Sequence, residues 1–184
     1  DIVEVARRTF LKEENIKVIY HGFDAGLFSQ TRDFNAEERV KKELGISGKY
    51  ILYSGAIQPR KNLKTLIAAF EIYKKENGGD IKLVLAGGKA WLWEKVMEKA
   101  KRSSFNQDII MSGKLKFGDL GHLMRGAAVY AYPSLYEGFG ITILEAMASQ
   151  VPLIVADNSS LQEVGGEAAQ YFNADNAVEL AEKI

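Results

Sequence analysis

Tyr132-Pro-Ser-Leu-Tyr-Glu137-Gly-Phe-Gly140-Ile-Thr-Ile-Leu-Glu145-Ala-Met-Ala-Ser149 decides how this chain is read. The apolar run leading into it, Ala128 to Tyr132, has the length and composition of a buried strand. A glycine-containing turn follows, and a helical pattern begins at about Gly140. Glu137 falls in the turn and Glu145 on the helix. Open α/β sheets bind ligands outside the carboxyl ends of their strands, where helix N-termini face the ligand. Gly138 and Gly140 allow close backbone approach. The free N–H groups of a first helical turn favour an anion such as a diphosphate. Carboxylates beside an anion site are better suited to accept hydrogen bonds from sugar hydroxyls. The pattern therefore implies a ligand that is part phosphate and part polyol.

Outward from this stretch, short apolar runs alternate with longer amphipathic segments, as in a parallel sheet covered on both faces. Strands are expected at Lys17–Tyr20, Tyr50–Ser54, Lys82–Ala86, Ile109–Met111, Ala128–Tyr132, Pro152–Val155 and Gln170–Phe172. Helices are expected at Ile2–Leu11, Ala36–Leu44, Leu63–Lys75, Trp91–Arg102, Asp119–Arg125, Gly140–Ala148 and Ala177–Ile184. Leu63, Leu66, Ile67, Phe70 and Tyr73 form the core stripe of one such helix. Residues 24 to 36 read as a connecting loop, and Trp91 and Trp93 as packing groups between helix and sheet. The fold class is α/β, Rossmann-like, in a single domain over residues 1–184.

With 184 residues, 47% of them hydrophobic, the chain can bury one sizeable core. Lys plus Arg equals Asp plus Glu, 24 each, so no global charge favours nucleic acid. Without cysteine there is neither a disulfide framework nor a thiolate metal site. No apolar run reaches the ~20 residues that span a bilayer, and residues 1–8 lack the apolar run of a signal peptide. A soluble, cytoplasmic protein is expected, with peripheral attachment to the inner face of a membrane through a further part left open. Two histidines, His21 and His122, supply no Ser/His/Asp triad. No strand is followed by Gly-x-Gly-x-x-Gly, which disfavours a dinucleotide oxidoreductase.

Pro133-Ser-x-Tyr-Glu-Gly-Phe-Gly-x-x-x-x-Glu-Ala-Met-Ala148 resembles the retaining family 4 glycosyltransferases of the GT-B fold. The resemblance extends to Val18-Ile-Tyr-His-Gly-Phe-Asp24, Ser54-Gly-Ala-Ile-Gln-Pro-Arg-Lys-Asn62, Leu85-Ala-Gly-Gly88, Ser112-Gly113, Val151-Pro-Leu-Ile154 and Ser159-Ser-Leu-Gln-Glu-Val164. It implies the carboxyl-terminal, donor-binding half of a GT-B enzyme, with an amino-terminal acceptor domain and a terminal helix lying outside this sequence. The enzyme would move a hexose from a nucleoside diphosphate sugar to an acceptor hydroxyl, with retention and without a cofactor. An acceptor glycan or lipid-linked sugar would be the other partner.

Arg60 and Lys61 stand where cations can neutralise a diphosphate leaving group. Read locally they are first a solvated helix start capped by Asn62, since basic pairs are common. The chain holds no Asp-x-Asp, and fixed cations are what a transferase without that metal-binding pair requires. Ala56 replaces the arginine of a common family pattern and Asn62 its glycine, so Arg60 is the candidate substitute for the missing guanidinium. The Pro-Arg-Lys-Asn variant is similar to mannosyl- and rhamnosyl-type members, and with Gly87-Gly-Lys-Ala-Trp91 it leans towards GDP-mannose, with a UDP-sugar next.

The catalytic candidates are thus Glu137, Arg60 and Lys61. Glu137 reads as a contact for the donor sugar, or as an ordinary loop carboxylate. Glu145 sits at the edge of its helix's apolar arc, which suits an ordinary solvated carboxylate as well as a ribose contact; the resemblance implies the ribose ligand. Lys114 and Leu115 correspond to the loop that meets the nucleobase through its main chain. Gly55, Gly138, Phe139, Gly140 and Ile141 complete the donor set, and no metal ligand is expected. Phe139, His21 and the pair Gly87-Gly88 read first as packing, structural and turn residues. An epimerase or phosphorylase of GT-B type, or a non-catalytic nucleotide-binding module, are the alternatives. A phosphorylase needs a pyridoxal lysine motif, and none is visible.

Overall fold

The computed structural model describes residues 12–28 and 31–184. Its frame is a parallel sheet of β1 (Lys49–Ser54), β2 (Ile81–Ala86), β3 (Ile109–Gly113), β4 (Val129–Tyr132), β5 (Leu153–Ala156) and β6 (Ala169–Phe172). The spatial order is β3-β2-β1-β4-β5-β6, and every pairing is parallel. The central strands β1, β4 and β5 are apolar on both faces because helices cover both faces. Chain order reverses between β1 and β4, and that switch point is where an open α/β sheet leaves a crevice at its carboxyl edge.

The flanking helices are α1 (Phe34–Glu43), α2 (Leu63–Asn77), α3 (Glu94–Arg102), α4 (Phe117–Gly126), α5 (Ile141–Ala148), α6 (Leu161–Gly165) and α7 (Ala177–Lys183). α2 packs against both α3 and α7, and α1 packs against α4. Leu63, Leu66, Ile67 and Phe70 of α2 are fully buried, with Tyr73 at the margin, as the stripe requires. Burial of each such side chain stabilises the fold by roughly 1.5–3 kcal/mol.

Several expectations need correction. Lys17–Tyr20 is not a strand: its backbone joins no sheet, and Val18 and Ile19 are exposed. Side chains hold this segment in place instead, as described below. The loop expected over residues 24 to 36 ends early, because Asp33 caps α1 by accepting the Ala36 N–H at 3.0 Å. α3 begins at Glu94 rather than Trp91, since Leu92 adopts a left-handed backbone (φ 55°) that breaks the helix before it. Trp91 is consequently turned out, 73% exposed, and only Trp93 packs on the core. α4 starts two residues early, at Phe117. α6 was not expected, since five residues show no helical period. The helix expected over Ile2–Leu11 lies outside the described residues.

Candidate functional site

The loops after β1 and β4 meet over the switch point. Gly55 leaves β1, and Pro59–Lys61 forms a single 3₁₀ turn before α2. The loop after β4 is tied to that turn, with Leu135 N–H donating to the Arg60 carbonyl at 2.9 Å. Arg60 Nη1 lies 2.8 Å from one oxygen of Glu137 and also donates to the Tyr136 carbonyl. Lys61 Nζ takes the other Glu137 oxygen at 2.5 Å and donates to the Tyr132 hydroxyl at 2.9 Å. The three residues expected to be catalytic therefore form one cluster of net charge +1, with Glu137 and Lys61 both buried and Arg60 exposed. Burial pushes the Glu137 carboxyl up, but hydrogen bonds from Lys61 and Arg60 outweigh it and hold the group below the usual range. The hydrogen bond to Glu137 raises the Arg60 guanidinium in turn.

Gly140 sits at the N-terminus of α5 with φ 102°, and no side chain caps that helix. A Cβ there would press on Leu161 and Ile143 at 3.1 and 3.2 Å, so both backbone and space call for glycine. One helical turn further on, Glu145 is 8% exposed. It has no hydrogen-bond or ion-pair partner among the described residues, and burial raises its carboxyl above the ordinary range. Ile141 is exposed at the head of the same helix.

The loops after β1, β2 and β3 are stitched edge to edge. Gly55 N–H donates to the Ala86 carbonyl and Gly87 N–H to the Gly113 carbonyl, at 2.9 and 3.0 Å. A Cβ on Gly87 would lie 1.7 Å from the Gly55 carbonyl oxygen, so Gly87 is there for this loop-on-loop contact rather than for a simple turn. Lys114 and Leu115 follow directly, Lys114 exposed and Leu115 half-buried. They follow β3, the edge strand of the sheet, two strands away from β1. Among the described residues no group of three or more His, Asp or Glu side chains is placed to hold a metal ion.

Sequence reasoning missed the support of the turn. Ser159 Oγ accepts the Glu137 N–H at 3.1 Å. The Ser160 hydroxyl donates to the carbonyls of Glu137 and Phe139 at 3.0 and 3.1 Å. Asn158 donates to the Ser134 carbonyl at 2.9 Å. The signal was present in Ser159-Ser-Leu-Gln-Glu-Val164, whose motif carried no role. Tyr132, the acceptor for Lys61, was read only as a strand residue. Asn62 stands at the N-cap of α2 but makes no side-chain cap bond: its backbone is left-handed and its side-chain amide donates to the Ala174 carbonyl. His122 contacts Arg125 through Nδ1 at 2.8 Å and remains half-buried on its helix.

The family model of the glycosyl transferases group 1 matches residues 34–184. O-antigen chain mannosyltransferase B of Escherichia coli is 37% identical over 123 residues, which is 65% of this chain and 31% of that protein. O-antigen chain mannosyltransferase RfbU of Salmonella typhimurium is 28% identical over 172 residues, 94% of this chain and 44% of that protein. The crystal structure of Anabaena HepE in complex with UDP and glucose superposes with a TM-score of 0.82 at 21% identity, over 96% of this chain and 48% of that one. The sheet and its helices are those of a GT-B carboxyl-terminal domain, and the chain spans less than half the length of these relatives.

Proposed function

Because this chain belongs to the glycosyl transferases group 1 family, we propose that it is the donor-binding half of a retaining GT-B glycosyltransferase. The complete enzyme transfers a hexose from a nucleoside diphosphate sugar to an acceptor hydroxyl held by a facing amino-terminal domain. Mannose from GDP-mannose is the favoured donor. Two relatives carrying the name mannosyltransferase support that choice, as does the Pro59-Arg-Lys-Asn62 variant. A UDP-sugar is next, since the similar HepE structure holds UDP.

The observation that carries this reading is Glu145. Its carboxyl is largely buried, no described protein group meets it, and burial disfavours its charged form, which leaves it open to a ligand's hydroxyls. A ribose diol offers two donors to such a group, beside a helix N-terminus and a cationic cluster suited to the diphosphate. Arg60, Lys61 and the open N–H groups of α5 stabilise the charge that gathers on the leaving diphosphate as the bond to the anomeric carbon breaks. Fixed cations supply this stabilisation without a metal.

Glu137 has both oxygens engaged and is held ionised. That suits a carboxylate that orients two cations and meets sugar hydroxyls at its edge, and it disfavours a covalent nucleophile. Retention then follows a front-face path: the acceptor oxygen bonds to the anomeric carbon on the side the diphosphate leaves, and the acceptor proton passes to a departing phosphate oxygen. Lys114 and Leu115 present main-chain groups to the base, and Gly55, Gly138 and Phe139 shape the phosphate turn.

Thermal unfolding of this chain against GDP, UDP and dTDP, each with and without EDTA, tests the reading. A ligand that binds only the native state raises its midpoint by mass action. Stabilisation by at least one diphosphate, unaffected by EDTA, is expected; no shift with any of them contradicts the reading. The chain alone should not transfer sugar, because proximity catalysis needs the acceptor held at the anomeric carbon.

A further inference from the structure

The turn Gly138-Phe-Gly140 has little reason to hold one shape on its own. Glycines flank a single half-buried phenylalanine, and Gly138 is exposed. Two flexible residues in series leave the amides of a phosphate turn free to wander. From one side the turn is gripped by Ser159 and Ser160, at the head of α6. From the other side lies the segment that the sequence presented as a strand. The Tyr20 ring lies 5.8 Å from the Phe139 ring, and the His21 ring meets it edge-on at 5.3 Å. The Tyr20 hydroxyl donates to Glu163, which stands on α6 as well.

Phe139 is thus held between a bracket and a strap, both anchored on one short helix. The Tyr20–Glu163 bond joins residues 143 positions apart, and both side chains are exposed. A lone bond at such a site adds little to global stability. Its consequence is local, on the ring it presses against.

We infer that Tyr20 and Glu163 are positioning residues: their bond straps the segment over Phe139 and holds the amides of Gly138 to Ile141 in register for a diphosphate. The inference rests on the donor-site reading proposed above, and it adds the part of the chain that sets the turn's affinity for phosphate.

Calorimetric titration of this chain with the tighter-binding of GDP and UDP, and with the matching nucleoside, tests it on Tyr20→Phe, Glu163→Leu, Glu163→Gln and the Tyr20→Phe/Glu163→Leu pair. Each of Tyr20→Phe and Glu163→Leu should weaken the diphosphate by about three- to tenfold, the worth of one hydrogen bond, and leave the nucleoside unchanged. The double variant should be no weaker than either single, and Glu163→Gln, which keeps an acceptor, should retain most of the affinity. Unchanged diphosphate affinity in both single variants overturns the strap while the donor reading stands. Equal weakening of diphosphate and nucleoside also overturns it, because a general loss of structure does not distinguish phosphate. If the unaltered chain binds no nucleoside diphosphate, the donor reading fails first and the strap with it.

Discussion

Buried carboxylates occur at both ends of the sheet, and they are treated differently. At the amino end Glu37 is 4% exposed and pairs with Arg32, while Arg125, itself buried, approaches it and donates to the Leu27 carbonyl at 2.8 Å. This cluster clips the segment before α1 onto α4. At the carboxyl end Glu137 is equally well paired, but Glu145, on the helix that follows, has no hydrogen-bond or ion-pair partner among the described residues and an elevated pKa. A fully satisfied buried charge is a fastening. A largely buried carboxylate that no described protein group meets, its oxygens still reached by solvent, is a candidate place for a ligand. On the proposed reading, the same residue type fastens the fold at one end and meets the donor at the other.

The largest effect should come from the amino end. Glu37→Ala removes the carboxylate that Arg32 pairs with and that the buried Arg125 approaches, and removing one partner of a buried pair is costly. Because Arg32 is half-exposed, a loss of about 2–3 kcal/mol in urea unfolding is expected. Nucleotide affinity of the folded fraction should be unchanged. A tenfold loss of that affinity would break the division between the two ends.

Next is Lys61→Met. It removes a buried cation and should cost about 2 kcal/mol in diphosphate binding, some thirtyfold in affinity. Inorganic pyrophosphate should suffer as much as GDP, measured by competition. A loss confined to GDP would mean that Lys61 reads the nucleoside instead. Arg60→Met should cost less, since solvent already screens its exposed guanidinium.

The smallest effect sharpens the contrast most. In the free chain Glu145→Gln should raise the thermal midpoint at pH 7 by about 2 °C, as relief of a binding-site compromise does at this size. A carboxyl raised on folding adds nothing unfavourable below its unfolded value. Its cost appears as the pH rises through the folded pKa. The advantage of Glu145→Gln should therefore vanish as the pH falls below the ordinary carboxylate value. Glu137 has the opposite sign: its depressed pKa contributes stability above that value, which is lost on acidification. Scanning calorimetry at pH 4 and 7 distinguishes the two.

The strand–turn–helix around Glu137 was legible because local chemistry specifies it: an apolar run, two glycines and an eight-residue helix. Six of the seven expected strands exist for the same reason. Lys17–Tyr20 misled because an apolar run looks the same whether it joins a sheet or lies across a turn. The pairing of Arg60 and Lys61 with Glu137 spans 76 positions or so and follows only from the parallel order that sets β1 beside β4. Trp91 misled because one left-handed residue, Leu92, redirects it, and leucine gives no warning of that backbone. Glu145 was recognised by motif, but its missing partner is visible only in three dimensions.

The most direct test of the central claim compares a ribonucleoside diphosphate with its 2′-deoxy counterpart on the unaltered chain and on Glu145→Ala. If Glu145 is the acceptor for the ribose diol, the substitution should cost the ribonucleotide roughly 1.5–3 kcal/mol, and clearly less for the 2′-deoxy ligand. Undiminished affinity of Glu145→Ala for the ribonucleotide would contradict the account: the unpartnered carboxylate would then not be where the donor binds.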